Sequence, residues 1–159
     1  MQNHRYDTIF STIQDIRLSQ PERDAILEVD RPGLSYGGLV DQIAMTMGWL
    51  NEHGLGRNDR IAIVLPNGPE MASCFVCTVC AATAAPLNTA YRAEEFAFYL
   101  KDLGAKALIV LQGSTSVAVE EAKKLNLTIL ELVKGERAGQ FTLKGGVEAR
   151  AAEYPGAAQ

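Results

Sequence analysis

The chain has 159 residues, of which 47% are hydrophobic, 21% charged and 7% aromatic. This is the composition of one ordinary globular domain, and a chain of this length can fold without disulfides or metals. Fifteen Lys and Arg against nineteen Asp and Glu give a net charge of −4. The charge argues against a nucleic-acid binder, because neutralising phosphates requires a concentrated basic face. The most apolar stretch, 71–87, is too short and too interrupted to predict a membrane span.

Periodic apolar positions and turn residues divide most of the chain into short elements. In chain order the sequence predicts a helix over 9–17, a hairpin of strands 25–29 and 34–36 around a turn at 30–33, a helix over 39–50, a strand at 60–65, a helix over 70–81, a weak strand at 83–87, a helix over 94–103, a strand at 106–111, a helix over 114–126 and a strand at 128–133.

Strands alternate with helices from residue 60 to residue 133. This alternation predicts an α/β fold: a partial doubly wound, mainly parallel sheet flanked by helices, with the N-terminal helix and β-hairpin beside it. Residues 135–159 contain five Gly and six Ala and show little periodicity. We therefore expect an α/β unit over 1–134 and an irregular Gly/Ala-rich segment over 135–159.

Local capping residues support the second helix. Ser35 precedes it and can accept a hydrogen bond at its N-terminus. Gly54 follows its last apolar position and suits a left-handed C-cap, with Leu55 available for the accompanying apolar contact. The acidic pairs Glu94-Glu95 and Glu120-Glu121 are interpreted as solvated helix faces that complement helix dipoles.

All three cysteines, Cys74, Cys77 and Cys80, lie within seven residues. An odd, clustered set is not a disulfide framework, so we expect a reducing compartment, the cytoplasm. The spacing could supply three ligands of an iron–sulfur cluster, but there is no fourth cysteine. We favour the alternative that the thiols pack as small hydrophobes on one helix face.

The sequence contains no recognisable catalytic or phosphate-binding motif. Neither His4 nor His53 has a nearby acid–nucleophile pair in the sequence, and no glycine-rich phosphate loop follows a strand. An open α/β sheet binds ligands at the carboxyl ends of its strands, so the candidate loops are 66–69, 87–92 and 112–115. Arg92, in the second loop, could meet an anion, although a surface role is favoured.

Three segments together resemble the adenylate-forming superfamily, which includes acyl-CoA synthetases. Residues 34–39 (LSYGGL) resemble its L-T/S-Y-x-x-L element, and residues 54–70 (GLGRNDRIAIVLPNGPE) resemble its G-x-x-x-G-D-R-V-A-I-x-L-P-N-x-x-E stretch. Residues 84–96 (AAPLNTAYRAEEF) are similar to its V-P-L-N-P-x-Y-T-x-E-E-L stretch. Asn58 replaces the usual Gly, and Arg92 replaces the usual Thr, which removes the customary N-cap. Residues 82–100 are most similar to the oxalate–CoA ligase branch.

The resemblance implies an ATP-dependent reaction in two steps. A small carboxylic acid attacks the α-phosphate to give an acyl-adenylate and pyrophosphate, and coenzyme A then takes the acyl group, with Mg²⁺ accompanying the ATP. The family's phosphate loop, adenine and ribose motifs and catalytic lysine would all lie beyond Gln159. The resemblance therefore assigns no catalytic, cofactor-binding or metal-binding residue to this chain, and the matched residues, such as Asp59, are interpreted as scaffold.

These observations lead us to expect the N-terminal fragment of an acyl-CoA synthetase, inactive and without cofactor on its own. We also expect homodimerisation through exposed sheet edges and, in a eukaryote, a peroxisomal location. The alternative is a stand-alone, non-catalytic binding or regulatory domain with a synthetase-like scaffold. A response-regulator or flavodoxin-like domain is less favoured, since no phosphoacceptor Asp ends the strand at Leu65.

Overall fold

The computed structural model describes residues 8–145. Within that range the chain forms five helices and seven strands that alternate over much of its length. Their bounds are α1 (Ile9–Ser19), β1 (Asp24–Glu28), β2 (Arg31–Ser35), α2 (Tyr36–Glu52), β3 (Arg60–Val64), α3 (Pro69–Ala81), β4 (Thr83–Pro86), α4 (Ala93–Asp102), β5 (Ala107–Leu111), α5 (Val117–Lys124), β6 (Thr128–Lys134) and β7 (Phe141–Gly145).

The main sheet has five strands in the order β4-β3-β5-β6-β7. Its first four strands are parallel, and β7 runs antiparallel to β6. Strands β1 and β2 form a separate antiparallel hairpin. The prediction of an α/β fold with a mainly parallel sheet is confirmed.

Both faces of the sheet are covered, so its central strands read as continuous apolar runs. Alternate residues of β3, such as Ile61 and Ile63, lie in one core with α2 and α3. Their neighbours Ala62 and Val64 lie in the second core, which includes Phe96 of α4. Over residues 8–145, no helix is both long enough and apolar enough to cross a bilayer.

The ends of α2 follow the capping residues expected from the sequence. The Ser35 hydroxyl accepts a hydrogen bond from the Gly38 N–H at 3.1 Å. Gly54 has φ +72°, and its N–H donates to the Asn51 carbonyl at 3.0 Å while the Leu55 N–H donates to the Leu50 carbonyl at 2.9 Å. This is a Schellman motif, and Leu55 is buried beside it. Both predicted caps are confirmed.

The hairpin turn differs from its predicted position. The chain reverses at Val29-Asp30, and residues 31–33 already belong to β2. Asp30 adopts φ +66°, a conformation that Asp tolerates better than most residues. A Cβ at Gly33 would lie 2.7 Å from Cδ2 of Leu27, but Leu27 is an exposed side chain whose tip can move aside.

The expectation that 135–159 is irregular is wrong for residues 141–145, which form β7. The strand exists because Phe141 and Leu143 both enter the core shared with α2. Only these two apolar residues alternate with polar ones, which is too short a pattern to stand out in a Gly/Ala-rich segment. The rest of this predicted segment, 146–159, lies outside the described residues.

Candidate functional site

The carboxyl ends of β3, β5 and β6 meet at one edge of the sheet, as they must in a parallel arrangement. The loop 66–69, Leu111 and Lys134 line a cavity of about 60 Å³ there, together with Glu28 and Glu70. Of the three loops predicted as ligand sites, only 66–69 lines this cavity. Loops 87–92 and 112–115 follow parallel strands at the same edge but take no part in it.

Glu70, at the start of α3, is the centre of a charged cluster beside this cavity. Its side chain is 5% exposed, and its Oε1 lies 2.7 Å from Nη1 of Arg31 on β2. The same Arg31 atom lies 2.7 Å from Oε2 of Glu28. Lys134, at the end of β6, lies 3.5 Å from the second oxygen of Glu70. Three elements, β1, β2 and β6, therefore place charged side chains around the buried carboxylate that α3 carries.

Arg31 also ties the hairpin to the turn between β6 and β7. Its Nη2 donates to the carbonyl oxygens of Gly135 at 3.0 Å and Arg137 at 2.8 Å. Arg137 returns the contact, because its Nη1 donates to the Gly33 carbonyl at 3.0 Å. The planar fork of arginine suits it to several directed acceptors at once. The cluster thus joins segments more than a hundred positions apart in the chain.

The cluster also sets the protonation state of Glu70. Burial alone would raise its pKa, but the hydrogen bond from Arg31, a backbone N–H and the charge of Lys134 outweigh burial and hold the pKa below its usual value. Hydrogen bonds to Glu70 and Glu28 raise the pKa of Arg31. A carboxylate whose charge is neutralised in this way is a poor general base at neutral pH. The arrangement is suited to holding the fold together.

The family of the chain follows from its match to a family model, "AMP-binding enzyme", over residues 15–153. The chain belongs to the AMP-binding enzyme family. Its curated relatives include oxalate–CoA ligase of Arabidopsis thaliana, 34% identical over 124 residues, which cover 77% of this chain and 24% of that protein. Probable CoA ligase CCL9 of Humulus lupulus is 38% identical over 108 residues, or 67% of this chain and 21% of the relative.

Solved structures give the same result for the fold. Apo MatB from Rhodopseudomonas palustris matches with a TM-score of 0.68 and 26% identity over 82% of this chain and 26% of MatB. ATP-bound MatB matches with a TM-score of 0.69 and 25% identity, again over 82% of this chain and 26% of that one. The chain therefore spans about a quarter of the length of the AMP-binding enzymes it matches.

The motif residues that this chain shares with the AMP-binding enzyme family make local contacts that fit a scaffold. Asp59 accepts a hydrogen bond from the Gly56 N–H at 2.9 Å and pairs with Lys106 at 3.2 Å, which fixes the approach to β3. Asn88, after β4, accepts a hydrogen bond from the Ala90 N–H at 2.9 Å. Asn67 belongs to the loop at the small cavity.

The cysteines lie where the packing interpretation puts them. Cys74 and Cys77 are fully buried in the core under α3, and Cys80 is half-buried. Burial raises the pKa of the Cys74 and Cys77 thiols to about 12, so both are uncharged at neutral pH and poor nucleophiles. The packing interpretation is confirmed for Cys74 and Cys77.

The acidic pairs divide between surface and interior. Glu94 and Glu95 are exposed, as expected. Glu120 is exposed, but the prediction is wrong for Glu121, which is 6% exposed and pairs with Lys124 at 2.6 Å. Glu121 is buried together with the apolar residues Ala118 and Ala122 of the short helix α5. The ion pair with Lys124 satisfies its carboxylate.

Arg92 occupies the N-cap of α4 and is exposed. An arginine side chain has no acceptor and cannot cap the helix N–H groups. This agrees with the expectation that replacing the family's usual Thr by Arg92 removes the customary N-cap. The Glu95 carboxylate instead accepts the Arg92 N–H at 2.8 Å, which is one half of a capping box.

His53 has a structural role at the end of α2. Its ring stacks on Trp49 at 3.7 Å between centroids, and its Nδ1 lies 2.7 Å from the Trp49 carbonyl. His4 lies outside the described residues.

Sequence reasoning missed the cluster of Glu70 and Arg31. Glu70 lies in the first turn of its helix, where an acidic residue is ordinary, and Arg31 lies beside a turn. Nothing local marks either residue, because their partnership spans 39 positions. The only available signal is that Glu70 ends the family-like stretch 54–70.

Proposed function

We propose that this chain forms the N-terminal part of an ATP-dependent acyl-CoA synthetase. The whole enzyme would join a carboxylate and ATP into an acyl-adenylate and pyrophosphate, and would then transfer the acyl group to coenzyme A. The family match over residues 15–153 carries the proposal. The similarity to oxalate–CoA ligase supports a small carboxylic acid, oxalate among the candidates, as the substrate.

Residues 8–145 would act as scaffold in that enzyme. The cavity at the carboxyl edge, about 60 Å³, is far smaller than the roughly 300 Å³ or more of a ligand pocket. Its buried carboxylate is already paired with Arg31 and Lys134. In this range, no group of three or more His, Cys, Asp or Glu side chains is arranged to hold a metal ion.

The residues that line this cavity therefore do not fit ATP, Mg²⁺ or coenzyme A, and we assign all three to the remainder of the synthetase. We expect this chain alone to bind none of them and to have no adenylating activity. The unpaired, clustered cysteines support a reducing compartment, the cytoplasm or, in a eukaryote, the peroxisome.

The test uses the 159-residue chain itself. Exchange of labelled pyrophosphate into ATP is measured with oxalate, malonate and acetate, and Mg²⁺-ATP binding is measured by calorimetry. The proposal expects no carboxylate-dependent exchange and no binding heat. Carboxylate-dependent exchange would overturn the proposal that residues 8–145 act only as scaffold. Tight Mg²⁺-ATP binding without exchange would favour the alternative, a stand-alone, non-catalytic binding or regulatory domain with a synthetase-like scaffold.

A further inference from the structure

Strand β7 is an edge of the main sheet within the described residues, because it pairs with β6 on one side only. In an antiparallel ladder, alternate residues direct their N–H and C=O groups toward the partner strand. Gln140 accepts a hydrogen bond from Gly135 on the β6 side. The odd-numbered residues Phe141, Leu143 and Gly145 therefore direct their backbone groups away from β6, where a further strand could pair with them.

The Gln42 side chain of α2 satisfies both outward groups of Phe141. Its Nε2 donates to the Phe141 carbonyl at 2.8 Å, and its Oε1 accepts the Phe141 N–H at 3.2 Å. A flipped amide would place donor against donor and acceptor against acceptor, so the two contacts fix its orientation. A residue of a neighbouring strand offers the same two groups, one N–H and one C=O. Gln42 therefore fills the place of one residue of a further strand.

Gln42 is held in this position by α2 itself. It is 3% exposed, and its Nε2 lies 3.4 Å from the Thr46 hydroxyl, one turn later in the helix. That hydroxyl donates to the Gln42 carbonyl at 2.8 Å. A strand that paired with Phe141 would exchange two hydrogen bonds for two others and would deprive the buried Gln42 amide of its main partners, which is costly. Pairing at Phe141 is therefore unfavourable.

The rest of the edge is too short to pair on its own. Gly145 has φ +89°, which departs from an extended strand. Leu143 is then the one other outward position of β7, and within residues 8–145 its backbone has no partner on that side. Lys144 beside it is exposed, and a lysine on an edge strand opposes pairing with another chain.

We propose that Gln42 closes the β7 edge, because its amide occupies the position from which a further strand would extend its pairing to Leu143. Without this amide, Phe141 and Leu143 provide two successive free positions. In the purified protein, the strand available to them is β7 of a second copy. The parent chain should not associate through β7, so the homodimerisation expected from the sequence has to use another surface. The proposal does not depend on the synthetase assignment.

The first experiment compares the self-association of two variants with buried substitutions in α2. Gln42→Met keeps the length of the side chain and a good helix former, but it removes both hydrogen bonds to Phe141. Thr46→Val is the matched control, since Thr46 is 4% exposed and its loss leaves the bonds to Phe141 in place. Sedimentation equilibrium from about 10 to about 500 µM measures association, which follows mass action.

We expect Gln42→Met to associate at least about tenfold more tightly than the parent chain, because it leaves two backbone groups in need of partners. Thr46→Val should behave like the parent. Circular dichroism at the same concentrations shows that each variant is folded. A folded Gln42→Met variant that associates no more tightly than Thr46→Val overturns the proposal.

The second experiment locates the contact by amide hydrogen exchange. In Gln42→Met, protection of the Leu143 N–H should rise with protein concentration, and association without this added protection contradicts the proposal. The parent chain supplies a test that needs no variant. Its Phe141 N–H should exchange at least about tenfold more slowly than its Leu143 N–H, because the Gln42 amide protects Phe141 alone. Equal exchange rates at Phe141 and Leu143 in the parent would overturn the closure of the edge by Gln42.

Discussion

Arg31 and Glu70 form an ion pair of 2.7 Å between the β-hairpin and the start of α3. Because Arg31 also binds the carbonyl oxygens of Gly135 and Arg137, this pair joins the N-terminal hairpin to the turn before β7. The contact explains how a two-stranded hairpin, which is marginal alone, is held against the main sheet.

Neutralising Glu70 should destabilise the fold. Glu70→Gln removes the buried charge that faces Arg31 and Lys134, and we expect a loss of about 2 kcal/mol in the free energy of unfolding. The measurement is urea denaturation at pH 7. Glu22→Gln, at an exposed position, is the matched control and should change stability little. Equal stability of Glu70→Gln and the parent chain would contradict the role of the cluster.

The same carboxylate should make stability depend on pH. The pKa of Glu70 is lowered in the folded chain, so its stabilising contribution is present above its unfolded pKa of about 4.5 and is lost as pH falls through the folded value. The difference in unfolding free energy between the parent and Glu70→Gln should therefore shrink from pH 7 to pH 3. A difference that stays constant over this range would show that the charge is not responsible.

Replacing two glycines by alanine, one inside α2 and one just after its C-terminus, should change the stability of the fold in opposite directions. Gly48 lies inside α2, and a Cβ there would meet nothing within 4 Å, so Gly48→Ala should stabilise by about 0.5–1 kcal/mol. Gly54 has equal space but φ +72°, so Gly54→Ala should destabilise by about 1 kcal/mol. Thermal denaturation of both variants provides the comparison, and the same sign for both would be evidence against the Schellman cap.

The thiols should differ in reactivity with Ellman's reagent. Cys74 and Cys77 are fully buried, with pKa values of about 12, so neither should react in the native chain. Cys80 is half-buried and should react slowly, because burial raises its pKa as well. In urea all three should react. Rapid reaction of all three thiols in the native chain would refute the packing of α3.

Local patterns in the sequence were sufficient for most of the fold. The apolar runs at 60–65 and 106–111 predicted β3 and β5, and Ser35 and Gly54 predicted the ends of α2, because each of these features depends on near neighbours in the chain. The predicted turn is displaced because Pro32 and Gly33 are typical turn residues, whereas the chain reverses at Asp30, which tolerates a left-handed conformation.

Features made by distant residues could not be predicted in this way. Strand β7 depends on burial of Phe141 against α2 and on the amide of Gln42, 99 positions away. Glu70 pairs in the interior with Arg31, which lies 39 positions away in the chain. The candidate site was predicted only as far as one loop, 66–69, since the charged groups around it come from separate elements.

The most direct test of the synthetase proposal is a chimera of the Arabidopsis thaliana oxalate–CoA ligase, in which residues 8–145 of this chain replace the aligned segment. Formation of AMP from ATP is measured with oxalate and coenzyme A, after circular dichroism has shown that the chimera is folded. The proposal predicts oxalate-dependent AMP formation, because the replaced segment supplies scaffold and the rest of the ligase supplies the chemistry. A folded chimera that binds ATP but forms no AMP would contradict it.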